Sequence, residues 1–229
     1  MGKMIELTAA DGHKLAAYRA DPAGTGATAG KPRGGIVVIQ EIFGVNSHIK
    51  SVADGFAKDG YVAVAPAMFD RTQRGYDTGY SQPEIQAGVA IMQKLDWKQT
   101  LLDVDAAVAE AKKAGKVGIV GYCWGGTVAW LAAAKTAGLA CAVPYYGGGM
   151  PNFINEKPKI PVLCHFGEQD QSPTLEQAKA IAKAHPGITA HFYPGAGHGF
   201  NCDQRPSFNA AASKQARERT LEFFRKHVG

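Results

Sequence analysis

The sequence predicts an α/β protein: a mostly parallel central sheet covered by helices on both faces, in a three-layer sandwich. Three observations lead there. Short unbroken apolar runs such as Gly35-Ile36-Val37-Val38-Ile39 and Tyr61-Val62-Ala63-Val64-Ala65 read as strands buried on both faces, the pattern of parallel sheets. Segments of helical periodicity alternate with those runs along the chain. Between the run Val117-Gly118-Ile119-Val120 and a helix-like segment at 127–134 lies Gly121-Tyr122-Cys123-Trp124-Gly125-Gly126. A glycine-flanked residue in that position forces a tight strand-to-helix turn and holds its own side chain outward.

Taken in order, two short strands are expected first, at 4–8 and 14–19, joined by a turn at Asp11-Gly12. Residues 21–34, rich in Gly, Ala, Thr and Pro, read as an exposed loop and not as a domain linker, because the first core strand, 36–40, follows at once. A helix at 47–58, a strand at 61–65 and a long polar loop at 68–82 come next. Helices are expected at 83–95 and 98–114, then the strand before Cys123 and the helix after it. Later strands fall at 140–145, 161–166 and 188–193, with a helix at 174–185 inside that series and a last helix at 207–227. No internal repeat or low-complexity tract interrupts the series.

Composition narrows the class. A chain of 229 residues with 45% hydrophobic content supports one sizeable core, so one domain spanning 1–229 is expected. Its apolar runs are too short to cross a bilayer and its N-terminus has no apolar leader, which predicts a cytoplasmic protein that does not engage a membrane. The formal charge of +5 comes from scattered Lys and Arg without aromatic interleaving. A solvated basic surface, with no nucleic acid partner, is the expectation, and a small anionic substrate makes economical use of the excess. The four cysteines, Cys123, Cys141, Cys164 and Cys202, contain no C-x-x-C pair, so neither a metal site nor a dithiol motif is expected; no cofactor motif is found. Cys141 and Cys164 lie in apolar runs and read as core thiols. The expected oligomeric state is a monomer or weak homo-oligomer.

In a sheet of this kind ligands bind outside the carboxyl ends of the strands. Three such ends carry chemistry: Gln40-Glu41-Ile42-Phe43-Gly44, Gly167-Glu168-Gln169-Asp170, and Gly195-Ala196-Gly197-His198-Gly199-Phe200. Cys123, an acid and His198 then follow in the chain order nucleophile, acid, base, that of an α/β-hydrolase triad. Glu168 competes with Asp170 for the acid; the shorter side chain, with fewer rotamers to fix, is favoured. His48, His165, His185 and His191 lack a glycine-flanked setting and read as structural or surface residues.

In these motifs, Q-E-I-F-G, G-Y-C-W-G-G, G-x-x-D and H-G-F, the chain resembles the dienelactone hydrolase (carboxymethylenebutenolidase) family of α/β-hydrolases along almost its whole length. The resemblance implies Cys123 as nucleophile, His198 as base, Asp170 as its orienter and Glu41 as an accessory acid that receives the thiol proton when substrate binds. It also implies the backbone N–H groups of Ile42 and Trp124 as the oxyanion hole. Read without the family, Glu41 could merely cap a following helical segment. The family's substrate is an enol-lactone bearing a carboxylate, for which Arg71, Arg74 and Arg205 are the candidate ligands, with Tyr76, Tyr80 and Tyr145 as candidate lining. Arg205, seven residues beyond His198, departs from the family's spacing for its second anion ligand. Two other readings stay open: a hydrolase of other activated esters or thioesters, and a redox-responsive thiol protein in which Cys202 resolves Cys123.

Overall fold

The computed structural model describes residues 2–23 and 31–229. Eight strands form one sheet: β1 (Lys3–Thr8), β2 (Lys14–Ala20), β3 (Gly35–Ile39), β4 (Val62–Pro66), β5 (Val117–Tyr122), β6 (Leu139–Tyr145), β7 (Leu163–Gly167) and β8 (Thr189–Tyr193). Their spatial order is β1-β2-β4-β3-β5-β6-β7-β8, with β1, β2 and β4 pairing antiparallel and the rest parallel. From β3 the chain first steps outward to β4 and then returns to the other side of β3 to lay down β5. The strand order therefore reverses between β3 and β5, and a crevice opens above their carboxyl ends. Glu41 follows β3 and Cys123 follows β5, so the reversal places both at that crevice.

Among the described residues six helices cover the sheet: α1 (Ser47–Lys58), α2 (Gln82–Met92), α3 (Trp97–Ala111), α4 (Trp124–Lys135), α5 (Leu175–Ala184) and α6 (Ala210–His227). Alternation along β3 divides the core into two layers. Val37 and Ile39 share one layer with Val104 and Val108 of α3, Val128 of α4 and Ile181 of α5. Ile36 and Val38 pack with Ile49 and Phe56 of α1 and Phe224 of α6. The three-layer expectation is met. Residues 124–134 of α4 are all buried, which accounts for a helix sequence without a polar face.

Caps decide where the helices start. Asn46 accepts from the Ile49 N–H at 3.2 Å, so α1 occupies the expected 47–58. α6 begins three residues later than expected because Asn209 supplies its cap, accepting from the Ala212 N–H at 3.1 Å. The expected loop at 68–82 is ordered by contacts that carry no periodic signal. It opens with a 3-10 turn at Met68–Arg71, and the buried Asp70 carboxylate accepts from the Ala16 and Gly75 N–H groups, each at 2.8 Å. Of the expected loop at 21–34, residues 24–30 lie outside the described residues. No described helix is long and apolar enough to cross a membrane.

Candidate active site

Cys123, between β5 and α4, takes φ 56° and ψ −119°. A positive φ is costly for a residue with a side chain and persists only where surroundings impose it. Here the Cys123 N–H donates to the Tyr145 carbonyl at 3.1 Å, and the Cys123 carbonyl accepts from Gly126 at 2.9 Å. A Cβ on Gly121 would collide with the Gly125 carbonyl, and one on Gly125 with the Gln40 carbonyl. Both glycines are thus demanded by the closeness of α4 to the strand ends. The half-buried thiol sits at the start of a 12-residue helix whose first N–H groups lack intrahelical acceptors and whose dipole favours negative charge. The Trp124 N–H, at the first helical position, is one of those donors.

Asp170 and His198 come from the loops after β7 and β8, which are laced together: the Gln169 N–H donates to the Ala196 carbonyl at 2.9 Å and the Glu168 N–H to the Tyr193 carbonyl at 3.1 Å. His198 Nδ1 lies 3.0 and 3.2 Å from the two oxygens of the Asp170 carboxylate, which is buried and also accepts from the Ser172 N–H at 2.7 Å. An ionised carboxylate can only accept, so the pairing puts a proton on Nδ1 and turns Nε2 to other work. Burial, the largest influence on His198, opposes its charge; the nearby sulfur and the Asp170 hydrogen bond outweigh it and raise the imidazole well above its ordinary pKa. Glu168, the other candidate acid, is exposed.

Glu41 is almost wholly buried. Arg205 donates to its Oε1 at 3.2 Å, while Oε2 has no hydrogen-bond partner. The Arg205 guanidinium also lies 5.5 Å over the Phe43 ring and 5.8 Å over Tyr80.

A cavity of about 510 Å³ opens beside these groups, within the usual range for a small-molecule site. Cys123, Asp170, His198, Ile42 and Trp124 border it, together with an apolar wall from α2 and α3 that includes Met92 and Trp97. Several candidates lie elsewhere. Arg71 is held by Asp103 at 2.7 and 2.8 Å and by Asp11 at 2.8 and 3.2 Å, and Arg74 is turned to the Lys14 carbonyl and Glu6 at the hairpin. Two carboxylates satisfy Arg71, and a carbonyl and a carboxylate hold Arg74, so the structure brings neither arginine to the cavity. The Tyr145 hydroxyl is buried against Thr220 of α6 at 2.7 Å, Tyr76 reaches the Glu84 carbonyl at 3.5 Å, and Tyr80 pairs with Asn46 at 3.0 Å. None of these three borders the cavity, and among its described lining residues there is no Lys or Arg.

Sequence reasoning missed Tyr146. Its backbone takes φ 37°, its ring lies edge-on to His198 at 5.3 Å, and its buried hydroxyl has no partner. The only hint in the chain is its place just after a strand, before Gly147-Gly148-Gly149. The α2 and α3 wall was also missed, since it is assembled by packing and carries no motif.

A sheet of this order and direction, with a nucleophile-type elbow after β5 and an imidazole after β8, defines an α/β-hydrolase. Within that class the chain belongs to the dienelactone hydrolase family, whose model matches residues 15–228. Relatives named "Putative carboxymethylenebutenolidase" include one from Synechocystis, 34% identical over 94% of this chain and 93% of its own length. Another, from Methylorubrum extorquens, is 37% identical over 93% of this chain and 77% of its own. A crystal structure of a "Putative Dienelactone Hydrolase" from Klebsiella pneumoniae superposes with a TM-score of 0.85 at 27% identity, covering 99% of this chain and all of that one. The chain is accordingly a hydrolase of the lactone and ester class.

Proposed function

We propose that the protein hydrolyses an enol-lactone through a thioacyl-enzyme. Cys123 is the nucleophile, His198 the base, Asp170 its orienter and Glu41 the acid that takes up the thiol proton as substrate binds. The thiolate adds to the lactone carbonyl, and the N–H groups of Ile42 and Trp124 stabilise the oxyanion. The ring C–O bond then breaks, the enol oxygen leaves and takes up a proton, and the acyl group remains on sulfur. Water deprotonated by His198 attacks that thioester, and Cys123 departs. An enolate leaves readily, so the intermediate partitions forward even though a thiolate is itself a good leaving group.

One observation carries this reading: a thiol held at positive φ on a helix N-terminus shares a cavity with an imidazole that a buried carboxylate orients. Replacing Cys123 by Ala should abolish turnover of dienelactones while leaving the fold intact, and appreciable residual activity would overturn the assignment. A second reading rests on a cavity wall without Lys or Arg, which suits neutral activated esters better than a carboxylate-bearing lactone. Comparing kcat/KM for cis- and trans-dienelactone with that for p-nitrophenyl acetate decides between the two. Arg205 is the cation the anionic substrate would need, and its existing pairing with Glu41 means the substrate carboxylate would compete for it.

A further inference from the structure

Glu41, His48 and Cys202 come together from the end of β3, the first turn of α1 and the loop after His198. All three are buried, and one donor atom from each lies within 4.8 Å of the other two. Two of the three residues hold a buried polar atom with no hydrogen-bond partner, Glu41 Oε2 and His48 Nε2. Such orphaned atoms are costly and call for an occupant. The other imidazole nitrogen, His48 Nδ1, faces the Asp203 carboxylate at 3.3 Å. A carboxylate on one nitrogen fixes the tautomer that leaves the opposite nitrogen's lone pair free, the arrangement that supports metal-bound histidines. Cys202 Sγ now donates only to the Tyr80 hydroxyl, at 3.3 Å.

We propose that Glu41, His48 and Cys202 form a binding site for a single zinc-type divalent ion. Sulfur, imidazole nitrogen and one carboxylate oxygen are a borderline-soft set, which suits zinc and excludes magnesium or calcium as the preferred ion. On binding, the Cys202 S–H proton is released to solvent, and thiolate and carboxylate together balance the two charges of the ion. A water completes four-coordination. His48 and Asp203 border a separate surface cavity of about 380 Å³, which supplies the route in. The ligands stand at positions 41, 48 and 202, so no short spacing in the sequence announces the site.

Occupation engages Glu41, so zinc should slow turnover; that consequence rests on the proposed mechanism, whereas binding does not. The test uses cobalt(II) as a coloured stand-in for zinc, in Cys123→Ala protein so that the active-site thiol cannot contribute. One equivalent should produce thiolate-to-cobalt charge-transfer absorption, displaced by one equivalent of zinc. Adding Cys202→Ala should abolish the band. Asp203→Asn, at an exposed side chain that puts folding at no risk, should weaken cobalt binding roughly 10- to 100-fold. Absence of the band from folded Cys123→Ala protein, its survival in Cys202→Ala, or unchanged affinity in Asp203→Asn would overturn the proposal. Stoichiometric binding at Cys202 with undiminished turnover in the zinc-loaded wild type would uphold the site and count against Glu41 in the mechanism.

Discussion

Asp170→Asn tests the reasoning about the imidazole most directly. The wild-type carboxylate sits 3% exposed and receives two donors, the Ser172 N–H at 2.7 Å and His198 Nδ1 at 3.0 Å. Asparagine keeps the volume and shape but has one accepting oxygen and one donating NH2. If that oxygen stays on the Ser172 N–H, the NH2 faces His198 Nδ1. The ring must then carry its proton on Nε2, where it can no longer take one from the attacking water. The variant also loses the charge whose hydrogen bond helps keep the imidazole basic. A positioned general base contributes roughly 100- to 10,000-fold to rate, so kcat/KM should fall by that factor, about 3 to 5 kcal/mol of barrier. The assay is kcat/KM across pH on p-nitrophenyl acetate and on dienelactone, with circular dichroism to establish that the fold survives. A folded variant within threefold of wild type would refute the role given to Asp170.

Three further outcomes follow from the structure. Arg71→Ala leaves the Asp103 carboxylate buried without its counter-ion and should cost about 3 to 5 kcal/mol in urea unfolding, while KM for an anionic substrate stays unchanged; a raised KM would return Arg71 to the binding site. Trp130, fully buried with its indole N–H donating to the Phe153 carbonyl at 3.1 Å, should cost about 3 to 5 kcal/mol on replacement by Ala, and a loss below about 1 kcal/mol would contradict the packing described. His198 has its pKa raised in the folded state, so its contribution to stability is fully present below about pH 6.5 and is lost as pH rises through the folded value. Melting curves of His198→Gln should accordingly decline less between neutral and alkaline pH than those of wild type; parallel curves would show that the ring is not stabilised as a cation.

Local signals in this chain were legible where one residue type answers one physical demand. Asn46 caps α1 at the expected residue, and the unbroken apolar run of β3 marks a strand covered on both sides. The turn around Cys123 was legible because only glycine fits at 121 and 125. Boundaries slipped where a cap outside the periodic pattern decided them, as Asn209 does for α6. The arginines near position 71 misled for a related reason. A guanidinium in a loop after a strand reads as a free anion ligand until the partners that claim it, Asp11 and Asp103, 60 and 32 residues away, are in view.

By itself the sequence determined the layered α/β class, the elbow that exposes Cys123, and the order in which thiol, acid and imidazole appear, because strand burial, glycine-only turns and chain order are properties of neighbouring residues. Tertiary structure alone decided that His198 meets Asp170 and not Glu168, that the cavity wall is apolar, that Arg71 is a structural cation, and that Tyr146 and the Glu41, His48 and Cys202 cluster lie around the site. Most of those relations join side chains tens to more than a hundred residues apart, and such distances are set by how the sheet orders its strands and which partner satisfies each buried charge first.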